Sequence, residues 1–482
     1  MFTQQLKHPP ALSVFFLTEM WERYGFYVIQ ALLAIYLSLH LRLDDEYVYT
    51  SVGSFTALTY ISPIIGGWIA DNLIGHRMAV LKGAVILFFG YMVLVLGNSM
   101  HTILLALSCI AIGTGLLKPN ISALLGRQYK GDKSAIRRSH GFTIFYMGLT
   151  AGIILGTLLP VKLHIWFGWK TCFFSAAIGV SLAFFIFLYG VKRLKLTDCC
   201  KIEGNVYLNY LKASIIIFAM GAVAFLLLTF TQIASFIFIF AVVATITLVL
   251  GIIYSEHGIQ RRKTFALLIL CVVSAMFWSF YFQMFLSLAL FITRVVQPNV
   301  LGIHFPAPYY VAVESFGMLL FGFLLIRITK SFIKKNIAFS ASVKFAIAMA
   351  LMVVSYMTIL YTMKNYDSMS LISPWLLLVA YVIIALAEML LSPVGLAAVT
   401  QLASSRFVGT MMGVFFVSLG IGGFFAGKLA RIAAIDPSVM NILQIKQIYF
   451  QAFCKFTGIV AFAAILSVLL SLYIKRLTKA HD

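Results

Sequence analysis

Apolar runs of 19 to 29 residues recur along the whole chain, separated by short segments rich in charge or in turn-forming residues. A helix needs about 20 predominantly apolar residues to cross the hydrocarbon core of a bilayer. The runs predict about fourteen such helices, at 11–39, 51–74, 78–97, 101–126, 140–161, 168–190, 212–231, 233–254, 265–292, 309–329, 344–362, 373–399, 406–430 and 449–474. One pair stands apart. From Ala213 to Tyr254 there is no Asp, Glu, Lys or Arg, and the only break falls near Thr231-Gln232. It reads as a lipid-facing hairpin inserted between two sets of six. The pattern therefore predicts an all-α polytopic membrane protein: a six-helix bundle over 1–200, a linker with a two-helix transmembrane hairpin over 201–263, and a second six-helix bundle over 264–482.

Composition agrees. Hydrophobic residues make up 62% of the 482 and charged residues 11%, with a mean hydropathy of +1.00. Soluble domains carry about 25% charged residues, so a soluble enzyme of this size is excluded. The net charge of +21 would suggest a nucleic-acid partner in a soluble protein. Here its distribution decides otherwise. The basic residues cluster on alternate loops: Arg127 to Arg138, Lys192 to Lys201, Arg261 to Lys263, Arg327 to Lys335 and Lys475 to Lys479. The positive-inside rule puts those loops, and with an even helix count both termini, in the cytoplasm. No nucleic acid is expected, since no basic stripe interleaves with exposed aromatics. Met1 to Pro10 lacks a signal-peptide pattern, so the first run reads as a retained span of an inner, or plasma, membrane protein. The six cysteines have no metal-ligand spacing, and neither a metal nor a cofactor is expected.

The charges at membrane depth carry the chemistry, because each costs about 2.5–3.5 kcal/mol to insert. In the first span Glu19, Glu22 and Arg23 share one helical face, and Tyr27 and Gln30 continue it. The resulting polar stripe, about 140° wide, must face protein or water. Two readings stay open: an internal Glu–Arg lock on the bundle, or a network along a cavity linked to protons or substrate. Lys118 lies in the fourth span ahead of Pro119, which removes a backbone donor and bends a helix. Glu314 and Glu388 lie in later spans. Four acids thus face two bases, Arg23 and Lys118, and repulsion among buried carboxylates predicts that at least one holds a proton in some state. Gly148, Gly152 and Gly156, four residues apart, predict a close helix–helix approach, which serves packing or helix sliding.

Gly67-Trp-Ile-Ala-Asp71-Asn-Leu-Ile-Gly75-His-Arg77 fits Gly-x-x-x-Asp-x-x-x-Gly-x-Arg and resembles a cytoplasmic-loop signature of major-facilitator carriers. Asp71 is expected to cap a neighbouring helix or to pair with Arg77, and both are gating candidates. The six-plus-six layout matches the two-fold repeat of that superfamily, whose substrate sites lie near the midplane between the halves.

Further motifs narrow the resemblance. Glu19-Met-Trp-Glu22-Arg23-Tyr24-Gly25-Phe26-Tyr27 resembles the Glu-x-x-Glu-Arg-Phe-x-Tyr-Tyr signature of the proton-dependent oligopeptide transporters. Gly115-Leu-Leu-Lys118-Pro-Asn-Ile-Ser, Phe142-Thr-Ile-Phe-Tyr146-Met-Gly148 and Glu388-Met-Leu-Leu-Ser392-Pro393-Val-Gly395-Leu resemble other motifs of that family, in the same order. The resemblance implies a major-facilitator fold of twelve core helices plus two, and symport of di- and tripeptides with protons. By matched position it implies that Glu19, Glu22, Arg23 and Lys118 couple protons. Tyr27, Tyr60 and Tyr146 would line the peptide cavity with Trp278 in its wall, and Glu388 would receive the peptide ammonium. Gln30, Thr150, Ser392 and Phe415 occupy the remaining candidate substrate positions. The chain also departs from the pattern. Phe282 stands before Gln283 where many members carry an acid, so the usual acidic partner of Lys118 is missing, and Glu314 is the candidate replacement. Many members have an arginine at Gln30, an asparagine at Thr150 and a tryptophan at Phe415. These departures predict a narrower peptide set, or peptide-like compounds.

The leading expectation is a monomeric proton-coupled peptide symporter whose driving force is the proton gradient and whose partners are small peptides, protons and the lipid bilayer. The alternative is a major-facilitator carrier for a non-peptide solute, such as an amino-acid derivative or a drug-like compound. A membrane enzyme is disfavoured because the sequence has no HExxH, no Ser/His pairing within a span and no phosphate-binding glycine loop. A channel is disfavoured because there is no repeated filter-like loop.

Overall fold

In a computed structural model the described residues are 8–129, 135–194, 196, 198, 205–334, 340–364, 367–404 and 406–479. Of the basic clusters, Lys130, Lys133, Lys195, Lys201 and Lys335 lie outside them. The described chain is almost entirely helical. Its helices are α1 (Ala11–Ile35), α2 (Asp45–Ile69), α3 (His76–Leu96), α4 (Met100–Gln128), α5 (Ala135–Phe167), α6 (Trp169–Arg193), α7 (Val206–Thr229), α8 (Thr231–Ser255), α9 (Gly258–Tyr281), α10 (Ser287–Val295), α11 (Ala307–Lys334), α12 (Ala341–Thr362), α13 (Trp375–Leu402), α14 (Val408–Ala430) and α15 (Ile442–Lys479). Among the described residues twelve spans are long and apolar enough to cross a membrane, with α9 and α10 forming one of them. α1, of 25 residues, and α11, of 28, are long enough to cross as well, which brings the spans to the expected fourteen.

The chain forms two compact units. Met1–Gln30 and Leu58–Phe230 make the first; Ala31–Ala57 and Thr231–Asp482 make the second. The two hairpin helices part company, α7 going with the first unit and α8 with the second. Within their units α7 packs on α4, and α8 packs on α9 and α14. The other faces of both helices expose large apolar side chains such as Phe218, Phe236 and Phe240. An apolar face of that kind suits lipid.

In the first unit glycines bring backbones together. The three four-spaced glycines of α5 lie against α1: Gly148 against Phe16, Gly152 against Met20 and Arg23, Gly156 against Tyr24 and Tyr27. From the α6 side, Gly179 receives Tyr24 and Gly190 receives Val14. α1 is thus wedged between two helices, which is why its charged stripe can be buried. α4 runs through Pro119 without interruption.

In the second unit the span predicted as one helix over 265–292 is broken. α9 ends at Tyr281 and a tight turn, Phe282–Phe285, precedes α10. The break is held by one side chain, Gln283. The Gln283 amide donates to the carbonyls of Ser279 (3.1 Å) and Ala426 (2.9 Å), and its carbonyl accepts from Ser287 (2.7 Å). A polar side chain bonding into the backbone ladder bends a helix. After α10, Asn299–Val300 and Ile303–His304 form a two-residue hairpin ladder whose turn, Leu301-Gly302, has positive φ at both positions, the geometry that matches strand twist.

Candidate functional site

The first unit gathers one cluster. Glu19, Glu22 and Arg23 are each no more than 2% exposed. Arg23 Nε donates to Glu22 Oε2 at 2.5 Å and stands 3.4 Å from Glu19 Oε1. Its guanidinium lies 5.0 Å from the centre of the Phe26 ring, a cation–π contact. Glu19 Oε2 and Glu22 Oε1 accept no hydrogen bond, so each carboxyl keeps one oxygen for a proton or a ligand. Lys118 comes from α4 and lies close enough to Glu19, Glu22 and Arg23 to interact with all three. Its ammonium sits 4.6 Å from the centre of the Tyr60 ring. Tyr27 lies within electrostatic range of Arg23, and Tyr146 within range of Glu19. Tyr146 is half exposed, and Thr150 one turn on donates to its carbonyl at 3.1 Å. Gln30 is buried further along α1. Seven residues predicted from scattered motifs therefore meet: Glu19, Glu22, Arg23, Tyr27, Tyr60, Lys118 and Tyr146. Their formal charges balance, two acids against two bases.

The second unit holds the remaining two acids. Glu314 on α11 and Glu388 on α13 are buried and lie within electrostatic range of each other. Ser315 Oγ donates to Glu314 Oε2 at 3.2 Å, and the Tyr281 hydroxyl bonds Glu388. Glu314 Oε1 and Glu388 Oε2 have no partner, and neither acid has a salt bridge among the described residues. Of the four acids singled out in the sequence, these two are the ones without a basic partner among the described residues. Trp278 is buried beside them: its ring centre lies 4.8 Å from that of Tyr281, and its Nε1 donates to nothing. Phe282, in the place of the missing acid, is buried 5.4 Å from the Trp278 ring centre. Phe415 fills the space at Gly395, and Ser392 is half-buried one turn from Glu388.

The gating pair differs from expectation. Arg77 takes Asp198 as its acid, not Asp71. Its Nε donates to Asp198 Oδ2 and its backbone N–H to Oδ1, both at 2.9 Å, while Nη1 donates to the Leu196 carbonyl at 2.7 Å. Asp71 stands 3.2 Å from His76 Nε2. The reason is Gly75. It turns the chain with φ +78°, and that turn brings the Arg77 backbone N–H, in the first turn of α3, round to Asp198, an anion at a helix N-terminus. The sequence signal for Asp198, an acid within a basic cluster, was too common to single out. The second unit has one more buried network that motif reading missed, Asp45 with Arg294, Ser38 and Tyr449.

Comparison with known proteins shows the family. The model of a family described as the POT family matches residues 77–448. Dipeptide and tripeptide permease A of Klebsiella pneumoniae (strain 342) is 29% identical over 480 residues, covering 98% of this chain and 94% of that protein. The protein of the same name from Salmonella typhimurium is also 29% identical, over 479 residues, 99% of this chain and 94% of its own. A crystal structure of a peptide transporter POT mutant in complex with alafosfalin superposes with a TM-score of 0.85 at 27% identity, over 98% of this chain and 96% of that one. The crystal structure of tetrameric PepTSo2 does so with a TM-score of 0.84 at 25% identity, over 97% and 99%.

Proposed function

This chain belongs to the POT family, with the major-facilitator fold of its relatives, and from that premise we propose that it is a proton-coupled symporter that imports di- and tripeptides or peptide-like compounds across the inner membrane by alternating access. The relatives named for dipeptides and tripeptides, and the transporter that holds alafosfalin, support the substrate class. The single observation that carries the coupling is the cluster of Glu19, Glu22, Arg23 and Lys118 at membrane depth, with a carboxyl oxygen free on each acid.

In this reading the α1 acids take protons from the outer side and release them to the cytoplasm. Protonation of a carboxyl weakens its pairing with Arg23 and Lys118. A freed Lys118 can bind the carboxylate of a peptide, and Glu388 with Glu314 can bind an ammonium. Tyr27, Tyr60, Tyr146 and Trp278 offer aromatic surface for side chains of many shapes, which suits a carrier that accepts varied peptides. The moving bodies are the six-helix bundles of 1–200 and 264–482, with 201–263 as an insert. The carrier works as a monomer with both termini in the cytoplasm. No cofactor takes part.

The test is uptake of labelled L-alanyl-L-alanine into proteoliposomes under an imposed inward proton gradient. Accumulation above the external concentration that collapses with a proton ionophore is expected. No gradient-driven uptake across a panel of di- and tripeptides would overturn the peptide reading in favour of a non-peptide solute.

A further inference from the structure

α3 has no length to spare. Its 21 residues span about 31 Å, close to the thickness of the hydrocarbon core of a bilayer. Lys82 stands about 9 Å inside the start of α3, where a lysine leaves hydrocarbon only by reaching toward the headgroups. Its ammonium is 5.0 Å from the centre of the Tyr210 ring on α7. Among the described residues no carboxylate pairs with it. A cation–π contact covers one side of an ammonium and leaves N–H donors for an anion.

The surroundings favour a negative ligand with an apolar tail. α6, which packs on α3, ends in Lys192 and Arg193, both exposed, and Lys212 is exposed in the second turn of α7. The acids described at this end are already engaged, Asp198 by Arg77 and Asp71 by His76. α7 packs on α4 and on Ala70–Ile74, while among the described residues α3 and α7 make little direct contact, so Lys82 reaches across from one helix to the other. Val85 and Phe89 follow Lys82 at i+3 and i+7, on its own face of α3, and both are exposed. On α7, Leu211, Ile215 and Phe218 form an exposed apolar stripe.

We propose that Lys82 and Tyr210 frame a site for the phosphate of an anionic phospholipid, whose acyl chains lie along the exposed apolar faces of α3 and α7. The Lys82 ammonium holds the phosphate oxygens, and Lys192, Arg193 and Lys212 draw anionic lipid to this end of the helices. A zwitterionic lipid suits the site less, because its own ammonium meets basic groups and finds no unpaired acid among the described residues. A free phosphate brings the charge but has no apolar surface to lay against Val85 and Phe89. The site uses no residue of the α1 cluster and does not depend on which solute is carried.

The test gives the full-length protein in detergent either dioleoyl phosphatidylglycerol or dioleoyl phosphatidylcholine and counts bound lipid by native mass spectrometry. Wild type should retain phosphatidylglycerol under conditions that strip phosphatidylcholine. Lys82→Gln should weaken that retention at least about fivefold, the loss expected when one basic group leaves a membrane surface. Lys82→Arg should keep it, and Lys344→Gln, at the start of α12 in the second unit, should leave it unchanged. Equal retention of the two lipids by wild type overturns the site. So does equal retention of phosphatidylglycerol by wild type and Lys82→Gln, or an equal loss in Lys82→Gln and Lys344→Gln. Displacement of the lipid by excess inorganic phosphate makes this a free-phosphate site and overturns the lipid. The comparison of the two lipids on the wild type decides even where Lys82→Gln does not fold.

Discussion

Arg294 holds Asp45 with two nitrogens, Nη1 to Oδ2 at 2.6 Å and Nη2 to Oδ1 at 2.9 Å. Asp45 begins α2, is 1% exposed, and also accepts from Ser38 Oγ and from the backbone N–H of Ile435. Tyr449 accepts from the same guanidinium. Removing one partner of a buried pair strands the other charge, at a cost of about 3–5 kcal/mol. Asp45→Asn is therefore expected to lower the thermal unfolding midpoint of the purified protein clearly, and Arg294→Gln to do so by a similar amount. Because both variants break one network, the double variant should lose less than the sum of the two. Additive losses would mean that the two residues stabilise the protein separately.

Arg77 and Asp198 are more exposed, at 38% and 19% of their side chains, so their ion pair is expected to contribute only about 1 kcal/mol. The larger effect is local. Asp198 also holds the backbone N–H of Arg77 at the start of α3. Asp198→Ala should raise hydrogen exchange in the first turn of α3 while leaving overall stability nearly unchanged. Asp198→Asn, which keeps an acceptor for that N–H, should raise it less. Equal exchange in wild type and Asp198→Ala would show that the contact does not order the turn.

The close approach of α5 to α1 makes a third prediction. A Cβ at Gly152 would meet the Met20 carbonyl and stand 2.8 Å from Arg23 Cβ. Overpacking of this kind costs about 1–3 kcal/mol, and here it pushes on the helix that carries the buried charges. Gly152→Val should lower stability and uptake together. Gly221→Ala, with nothing within 4 Å, should change neither. A normal Gly152→Val protein would show that α1 and α5 can separate without consequence.

Helices were legible because bilayer length and hydropathy leave a long, regular signal, and the α1 stripe was legible because ionisable residues are rare in such runs. Their grouping was harder. Lys118, Tyr60 and Tyr146 sit on three helices, and only a resemblance of motifs linked them to Glu19 and Glu22 in advance. The break at Phe282–Phe285 was missed because it depends on Gln283 reaching Ala426, a partner 143 residues away. Asp198 and the Asp45–Arg294 pair were missed for the same reason. Each is an ordinary charge near a helix end, and only the folded chain says which opposite charge it meets. The sequence count of buried acids named Glu19, Glu22, Glu314 and Glu388 and left out Asp45 and Glu256, which the fold also buries; that Glu314 and Glu388 come near each other follows from the packing of α11 on α13.

The last prediction concerns coupling at Glu22, whose Oε2 accepts from Arg23 at 2.5 Å while its Oε1 stays unpaired. Glutamine there keeps the size and an acceptor oxygen but cannot lose a proton. If Glu22 is a proton carrier, Glu22→Gln should still exchange peptide across the membrane, because exchange needs only the loaded carrier to reorient. It should fail to accumulate peptide against a gradient, because accumulation needs a proton to be taken up and released in each cycle. In proteoliposomes, counterflow of labelled dipeptide should therefore persist, while accumulation driven by an imposed proton gradient falls to simple equilibration. Full accumulation by the variant would remove Glu22 from the coupling path. Loss of both counterflow and accumulation, with the protein still folded, would make the Glu22–Arg23 contact a lock on α1 and not a proton relay.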